Sequence, residues 1–488
     1  MKPFRESATD RYCRLFPPCS LPTDVDLYCR NLTALGRAMI DDGSRVSNNR
    51  PEILADCGYT YFGQFIAHDL TKDASSIDEA WKKEPEQLQN LRTPRLDLDS
   101  LYGRGPTVSP ELYENDQVRL RVGSARSSDK GLDICTGAQG ERILGDERNA
   151  ENLILRQMTA VFAQLHNFAV EQFEGEIADP SKLFKRARRQ TQRQFQWLVC
   201  HDYLPTLLNL DVYNRVFRDG RSTIDWDQFS IPIEFSAAAM RFGHAMVRPN
   251  YMFAFGNDML FGKIFGRTTD RGPLAQRQEL NWGFFFQGAA DGGAVTARPI
   301  DTRLSEPLHH LPGDLVGVPE IPCPHFRFSK HPAQLTVRTL LRGAGLHLPS
   351  GQTAARAFGQ DVLTDFDLER NADGQESEQG QILRETKLLD QTPLWYYILK
   401  ESEVRENGNR LGPTGSILVA ETIHGALRSD PESYLNQPDL EGLPPIWNLP
   451  DERTRIYGLS ELFRMVPFFQ TASASSQCLV GDEGTGSS

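Results

Sequence analysis

Apolar residues that recur at the period of an α-helix most constrain the fold of this 488-residue chain. One such stripe begins after the acidic, helix-capping stretch 145–151, and a second runs from Pro180, a favourable first-turn residue, to Leu204 before Pro205. The members of the first stripe are Leu153, Ile154, Met158, Val161, Phe162, Leu165 and Phe168. The alternation that predicts strands is scarce, so the sequence predicts a mainly α fold with little or no sheet.

Five further helices are predicted from apolar spacing and from turn residues at their ends. They cover residues 235–247, 335–346, 354–358, 394–399 and 417–427. Long loops rich in Gly, Pro, Ser, Asp and Arg separate the helices, and loops of such length are usually functional or lie on the surface.

No shift in composition marks an internal domain boundary, and no repeat of fixed period is visible. The sequence therefore predicts one large multi-helix domain over residues 23–470, preceded by an N-terminal arm over residues 1–22. Residues 471–488, rich in Ser and Gly, are predicted to be a disordered tail.

The charge balance excludes several partners. Lys and Arg number 53 against 65 Asp and Glu, a net charge of −12, and there is no basic block of the kind that nucleic-acid binding needs. No stretch approaches the ~20 consecutive apolar residues of a membrane-spanning helix. Glu6 and Asp10 stand where a Sec-type signal peptide would be apolar, so the expected location is the cytoplasm or a route independent of such a signal. The eight cysteines form no C-x-x-C pair and are expected to be mostly buried, reduced thiols, with a few disulfides left open.

Three segments carry residues suited to chemistry. In the first, Gln64 and His68 are four residues apart, so on a helix they would project from one face, where they could handle a proton and hold a water. The alternative is a polar pair that caps a loop. In the second, His244 follows Gly243 among small residues, and a neutral imidazole there could ligate iron. The alternative is a buried structural histidine.

The third segment is the acidic loop 93–103, TPRLDLDSLYG. Oxygen ligands at alternate positions of an extended loop suit a hard cation of high coordination number, which favours calcium. The hydroxyl and carbonyl of Thr93, the carbonyl of Arg95, and the carboxylates of Asp97 and Asp99 would supply the oxygens. The alternative is a solvated acidic turn.

Together these segments resemble the animal-type haem peroxidases of the peroxidase–cyclooxygenase superfamily, in the form of a bacterial-like member, from about Cys57 to Leu435. The motifs stand in the family's order. They are FGQFIAHDLT, TPRLDLDSLYG, LGDERNAEN with LHNFAV, RFGHAMV and LRGAGLHLPSGQ.

The resemblance implies a haem-dependent peroxidase with haem b and calcium as cofactors. His68 would be the distal acid and base, Gln64 its polar neighbour, Arg148 the distal arginine and His244 the proximal iron ligand. The implied calcium ligands are Asp69, Thr93, Arg95, Asp97 and Asp99. Hydrogen peroxide and small donors such as bromide, iodide, thiocyanate or phenols would be the substrates, with a role in the response to oxidative stress.

Several positions depart from the family's pattern. Ala67 replaces the first ester-forming residue, so the resemblance implies at most one haem ester, through Glu151. Thr339 stands where the family usually places an asparagine that accepts a hydrogen bond from the proximal imidazole. Arg342 matches an arginine that pairs with a haem propionate.

Two other functions remain open. A fatty-acid dioxygenase of the same superfamily needs a tyrosine three residues before the proximal histidine, and Arg241 occupies that position. A catalytically idle helical protein for adhesion or interaction would have no reason to keep His68, Arg148 and His244 together.

Overall fold

Helices form most of the regular structure in the computed structural model of the chain. The residues that it describes are 1–2, 11–41, 55–73, 83–84, 87–124, 132–137, 140–226, 228–265, 278–311, 322–323, 326–327, 334–437, 443–449 and 453–468. These fall into two units, each a set of three chain segments. The first unit comprises residues 1–97, 196–250 and 294–442, and the second comprises residues 98–195, 251–293 and 443–488. The mainly α fold class is confirmed, whereas the domain bounds stay a prediction.

The first unit holds most of the α-helices. They are α1 (Val25–Ala38), α2 (Gly58–Leu70), α6 (Leu204–Leu207), α7 (Leu210–Tyr213), α8 (Ile233–Ala237), α10 (Leu335–Gly345), α11 (Gly351–Ala357), α12 (Asp365–Glu369), α13 (Glu378–Glu385), α14 (Leu394–Arg405) and α15 (Pro413–Ser429). Helix α14 lies at the centre, packed against α10, α11, α15 and a 3-10 helix over Ala239–His244.

The second unit is built around two long helices. Its α-helices are α3 (Asp99–Tyr102), α4 (Leu153–Phe173), α5 (Pro180–Leu198, which continues past the unit's limit), α9 (Phe261–Ile264) and α16 (Leu459–Arg464). Asn152 caps α4 by accepting a hydrogen bond from the amide of Leu155 at 2.7 Å. The apolar stripe from Leu153 to Phe168 is buried, as its helical period predicts.

Strands are short and pair only two at a time in the described residues. They are β1 (Ile40–Asp41), β2 (Val122–Ser124), β3 (Leu132–Ile134), β4 (Asn250–Ala254), β5 (Asn257–Leu260), β6 (Leu304–Ser305), β7 (Pro322–Cys323), β8 (Phe326–Arg327), β9 (Ile446–Asn448) and β10 (Arg453–Arg455). The pairs are β1 with β6, which is parallel, and β2 with β3, β4 with β5, β7 with β8, and β9 with β10.

Most predicted helices are confirmed, and those predicted over residues 394–399 and 417–427 extend further in the structure. The helix predicted over residues 235–247 is wrong as one continuous element. Ala238 has φ −131° and ψ −68°, which breaks the α-helix after Ala237. The chain continues as the tighter 3-10 helix that ends at His244. The predicted helix from Pro180 to Leu204 holds, with a π-helical turn over Val199–Tyr203.

The N-terminal arm is packed into the first unit where it is described. Cys13 exchanges backbone hydrogen bonds with Ile231 and Ile233, and the amides of Leu15 and Phe16 donate to Glu234. The predicted tail, residues 471–488, lies outside the described residues. Within the residues that the structure describes, no helix is long and apolar enough to cross a membrane.

Cysteine chemistry is mixed. Reduced thiols that form no disulfide occur at Cys13, Cys19, Cys29, Cys57 and Cys200. Cys135 is disulfide-bonded, which is compatible with the few disulfides that the sequence leaves open.

Candidate functional site

Helix α2 places Gln64 and His68 in the first unit. The backbone amide of Cys57 donates to the carbonyl of Val295 at 2.8 Å and anchors the start of the helix. Gly63 lacks a side chain where the phenol oxygen of Tyr203 approaches the helix, so a Cβ atom there would collide with that oxygen. His68 is buried and Gln64 is half-buried, one turn apart on the same helix.

The 3-10 helix presents His244 at its last position, after a run of fully buried small residues, Ala237 to Ala239. Nδ1 of His244 is buried and makes no hydrogen bond with any described residue. The ring lies edge-on to Trp395, with ring centroids 6.1 Å apart. Burial, with a smaller effect of Arg241, lowers the pKa of His244 to about 3, so the imidazole is neutral at ordinary pH. A neutral imidazole is the form that ligates a metal ion.

Helix α10 carries Thr339 and Arg342. The hydroxyl of Thr339 donates to the carbonyl of Leu335 in its own helix at 2.9 Å. Nδ1 of His244 makes no hydrogen bond with a described residue, and the threonine hydroxyl donates within its own helix. Arg342 forms an ion pair with Asp73.

Arg241, Arg338 and Arg342 make this part of the first unit electropositive. Burial lowers the pKa of Arg241 to about 10, and the charge of Arg342 acts in the same direction, while Asp73 opposes it. Burial and Arg342 lower the pKa of Arg338 as well. Arg342 acts against the charged forms of Arg241 and Arg338, and an anionic ligand would stabilise those charged forms.

The second unit places Arg148 and Glu151 immediately before α4. Asp146 is fully buried, caps the turn by accepting from the amide of Arg148 at 3.0 Å, and pairs with its guanidinium at 2.7 Å. The amide of Glu151 donates to the carbonyl of Arg148 at 3.0 Å, which closes the turn. Arg148 therefore has a fixed side chain that remains partly exposed, and Glu151 is half-buried.

In the first unit, carboxylate oxygens of Asp69, at the end of α2, and Asp97 lie within 4.8 Å of each other. The hydroxyl of Thr93 donates to Oδ1 of Asp97 at 2.8 Å, so three oxygen-bearing side chains converge. Two negative charges at that separation repel by on the order of 3 kcal/mol at an effective dielectric constant of about 20. The side chain of Arg95 pairs with Asp430 at 3.8 Å and is not part of this group. Asp99 is two residues further along, where α3 begins.

Two contacts of this site were not found from the sequence. Trp395 lies 151 positions after His244, yet its ring faces the imidazole and its Nε1 donates to the carbonyl of Arg241 at 3.2 Å. No spacing rule links residues that far apart. In the sequence Arg241 is notable only as the replacement for a tyrosine, whereas the structure brings its charge close to that of Arg342.

Residues 76–263 match the family model named animal haem peroxidase. This interval contains Arg148 and His244 and begins after His68. A peroxidasin homologue of Caenorhabditis elegans is 26% identical over 187 residues, covering 35% of this chain and 14% of that protein. A peroxidase-like protein of Margaritifera margaritifera is 30% identical over 112 residues, covering 21% of this chain and 14% of that protein. This chain thus spans a small part of the curated relatives that it matches.

Solved structures show the same fold over nearly the whole chain. Peroxidase A from Dictyostelium discoideum superposes with a TM-score of 0.55 at 15% identity, covering 90% of this chain and 88% of that one. A fatty acid alpha-dioxygenase from Arabidopsis thaliana superposes with a TM-score of 0.60 at 12% identity, covering 95% and 77%.

Proposed function

Because residues 76–263 match the animal haem peroxidase family model, we propose that this chain is a haem-dependent peroxidase. It would reduce hydrogen peroxide and oxidise small donors, either halides and pseudohalides such as bromide, iodide and thiocyanate, or phenols. The observation that carries the proposal is His244, a neutral imidazole whose Nδ1 is buried without a hydrogen-bond partner in the described residues. A buried, unpartnered polar atom in a native structure calls for a specific explanation, and a metal-binding role supplies one.

The residues present fit haem b. His244 would ligate the iron, and Arg241 and Arg342 would face its anionic propionates, which would relieve the repulsion among the arginines. The small residues before His244 would let a flat group approach the backbone. When bound, haem would supply the iron that binds peroxide and would store two oxidising equivalents.

The acid and base work falls to His68. A buried imidazole can accept a proton from one peroxide oxygen and return it to the other, which makes the departing oxygen a better leaving group. Gln64, one turn earlier, would hold a water or donor beside it. Arg148 would stabilise the negative charge on the departing oxygen, and Asp146 would hold its guanidinium in one orientation.

Calcium is the second proposed cofactor. Asp69, Thr93 and Asp97 bring their oxygens together in the first unit, and a divalent cation would offset the repulsion between the carboxylates. The carbonyl of Arg95 and the carboxylate of Asp99 would complete the set. Because Asp69 follows His68 in the chain, the ion would also hold the backbone that carries the distal imidazole.

Substitution of the two histidines tests the peroxidase proposal. His244→Ala, purified with haem supplied, should lose the Soret band, and added imidazole should restore it. His68→Ala should keep the Soret band but lower kcat/KM for hydrogen peroxide by roughly 10²–10⁴-fold, the usual contribution of a general acid and base. His310 is exposed, so His310→Gln is the control variant. It should change neither the Soret band nor kcat/KM for hydrogen peroxide. Unchanged haem affinity in His244→Ala would contradict the proposal.

A fatty-acid dioxygenase is the second candidate, because two plant alpha-dioxygenases share the fold with TM-scores of 0.60 and 0.61. Against it, Arg241 occupies the position of the required tyrosine, and its Nε donates to the carbonyl of Ser236 at 3.2 Å. Oxygen uptake with a long-chain fatty acid, in the absence of peroxide turnover, would favour this candidate.

A further inference from the structure

Trp197, His201 and Tyr434 form a cluster of rings in the first unit, separate from the residues assigned above. The indole of Trp197 stacks on the imidazole of His201 with centroids 3.8 Å apart and planes 25° apart. The phenol of Tyr434 lies edge-on to both rings, at 6.1 Å from Trp197 and 5.7 Å from His201. Trp197 and Tyr434 are each 7% exposed, whereas His201 is exposed, so the imidazole is the outer face of the cluster.

A hydrogen bond of 2.9 Å joins the phenol oxygen of Tyr434 to Nε2 of His201. Burial of part of the ring, with a smaller effect of Arg218, lowers the pKa of His201 to about 4, so the imidazole is neutral and its Nε2 can accept the phenol proton. Arg428 lies near Tyr434 and acts on its pKa in the opposite direction from burial. An oxidised phenol is a far stronger acid than a resting one, so even a weakly basic imidazole accepts its proton.

Tyr213 provides an internal comparison. It is as deeply buried as Tyr434, but its hydroxyl donates to the backbone carbonyl of Cys200 at 2.9 Å. A carbonyl cannot take up the proton that a phenol must lose on oxidation. Of these two tyrosines, only Tyr434 has a proton acceptor.

The cluster is connected to α2 through Tyr203. Trp197 and Tyr203 lie six residues apart on one continuous helical run, about 9 Å along its axis. The phenol oxygen of Tyr203 touches α2 at Gly63, and its ring contacts Phe62 at 5.7 Å between centroids. Gln64 and His68 follow on the same helix, so Tyr203 contacts the helix of the proposed peroxide site and shares a helical run with Trp197.

We propose that Trp197, His201 and Tyr434 form a second oxidation site, at which aromatic donors too bulky to reach His68 give up electrons one at a time. The proposal rests on the proposed peroxidase function, since the oxidising equivalents come from hydrogen peroxide. In each step Tyr434 loses one electron toward the peroxide site and its phenolic proton to Nε2 of His201, which leaves a neutral tyrosyl radical and an imidazolium. A donor docked on the exposed imidazole then supplies one electron through Trp197, and the proton returns to the phenol oxygen. For each hydrogen peroxide, two donors lose one electron each and two protons are taken up from the donors or the solvent, which gives two molecules of water.

A haem-independent experiment tests the oxidation of Tyr434 directly. The protein is flash-oxidised with tris(bipyridine)ruthenium and persulfate, and the tyrosyl radical is measured by electron paramagnetic resonance. Tyr434→Phe and His201→Gln should lower the initial radical yield at least twofold, and Tyr213→Phe should leave it unchanged. Equal yields in Tyr434→Phe and Tyr213→Phe would overturn the proposal.

A donor comparison tests the site in turnover. Tyr434→Phe and Trp197→Phe should lower kcat/KM for the bulky dye ABTS at least tenfold while kcat/KM for iodide stays within twofold, and Tyr213→Phe should change neither. If iodide is oxidised and the variants oxidise ABTS as the wild type does, the second site is overturned and the peroxidase stands. If the wild type oxidises neither iodide nor ABTS with hydrogen peroxide, the peroxidase proposal fails, and the second site fails with it. Tyr434→Phe removes one atom, so it tests the site even if Trp197→Phe does not fold.

Discussion

His166 and His244 are both imidazoles with lowered pKa values, and their hydrogen bonds separate their roles. His166 is satisfied at both nitrogens, with the phenol oxygen of Tyr102 at 3.1 Å from Nδ1 and the carbonyl of Val118 at 2.9 Å from Nε2. His166 is therefore a structural residue. Nδ1 of His244 has no such partner among the described residues. At the scale of single residues, hydrogen bonding distinguishes a structural imidazole from a candidate ligand.

Arg156 and Asp133 form an ion pair that is 1% exposed on both sides, with two contacts of 2.6 Å. We expect Arg156→Met to lower the free energy of unfolding by about 3–5 kcal/mol, because it leaves a buried carboxylate without its counter-charge. Arg119, which pairs with Asp116 at 2.8 Å while 27% exposed, is the matched control. Arg119→Met should cost less than about 1 kcal/mol. Urea unfolding of the wild type and the two variants measures these changes in the free energy of unfolding. Equal decreases in the two variants would contradict the prediction.

Glu151 is the one residue proposed to form a haem ester. If it does, the wild type should retain haem after acid and acetone extraction, while Glu151→Gln should release it, because an amide side chain cannot form that ester. Mass spectrometry of haem-bearing peptides checks the same bond. Glu147→Gln, in the same turn, is the control and should retain the wild-type behaviour. Complete haem extraction from the wild type would show that no ester forms.

At the scale of elements, glycines decide how closely helices approach. Gly36 of α1 faces α10, and a Cβ there would lie 2.9 Å from both the backbone nitrogen and Cγ2 of Val337. Gly343 of α10 has only Leu348 at 3.4 Å, an ordinary contact. Both glycines lie inside helices, so their local sequence does not distinguish them. Only the packing around each one does.

We expect Gly36→Ala to lower the free energy of unfolding by about 1–3 kcal/mol, because backbone atoms of α10 cannot yield without moving the helix. Gly343→Ala should be neutral or should stabilise by up to about 1 kcal/mol, since alanine is the better helix former. Thermal unfolding of the two variants checks the difference in sign. A stabilised Gly36→Ala variant would show that α1 and α10 do not approach this closely.

At the scale of the whole molecule, buried histidines and buried glutamates make the free energy of unfolding change with pH in opposite directions. Burial lowers the pKa of His166 to about 4, so the unfolded chain binds its proton first and stability falls as pH drops from 6.5 to about 4. Burial raises the pKa of Glu234 to about 7, so the folded chain binds its proton more tightly and stability falls as pH rises from 4.5 to about 7.

The two groups therefore predict opposite changes on substitution. Relative to wild type, His166→Gln should gain stability as pH falls through 6.5 to 4, and Glu234→Gln should gain it as pH rises through 4.5 to 7. Each difference approaches about 1.4 kcal/mol per pH unit at most. Denaturant titrations at pH 4.5, 5.5 and 6.5 measure these slopes. Parallel profiles for the variants and the wild type would mean that the two groups do not titrate as their burial implies.

Removal of calcium is also expected to act on the whole molecule. A ligand that binds only the folded state at about one hundred times its Kd stabilises it by about 2.7 kcal/mol, so a chelator should lower the Tm by several degrees. Asp97→Ala should have, without chelator, a Tm close to that of the chelated wild type, and chelator should not lower it further. Asp116→Ala, an acidic surface residue outside the group, should respond as the wild type does. A wild-type Tm that does not change when chelator is added would contradict the proposed calcium site.

The mainly helical fold follows from the sequence because helix formation is local. The stripe from Leu153 to Phe168 and the cap at Asn152 lie within a few turns of one another, so their effect can be predicted without the rest of the chain. The break at Ala238 could not be predicted in this way. Small residues fit either an α-helix or a 3-10 helix. The segment Ala239–His244 is a 3-10 helix where it packs against α14 and α2.

Sequence alone also predicts which residues would carry the chemistry, because the motifs around His68, Arg148 and His244 are short and continuous. Only the tertiary structure decided their partners. It directs Thr339 to its own helix, sets Trp395 against His244, and joins Tyr434 to His201 across 233 positions. Hydrogen bonds and ring contacts depend on distances in space, and separation along the chain does not fix those distances once the chain has folded.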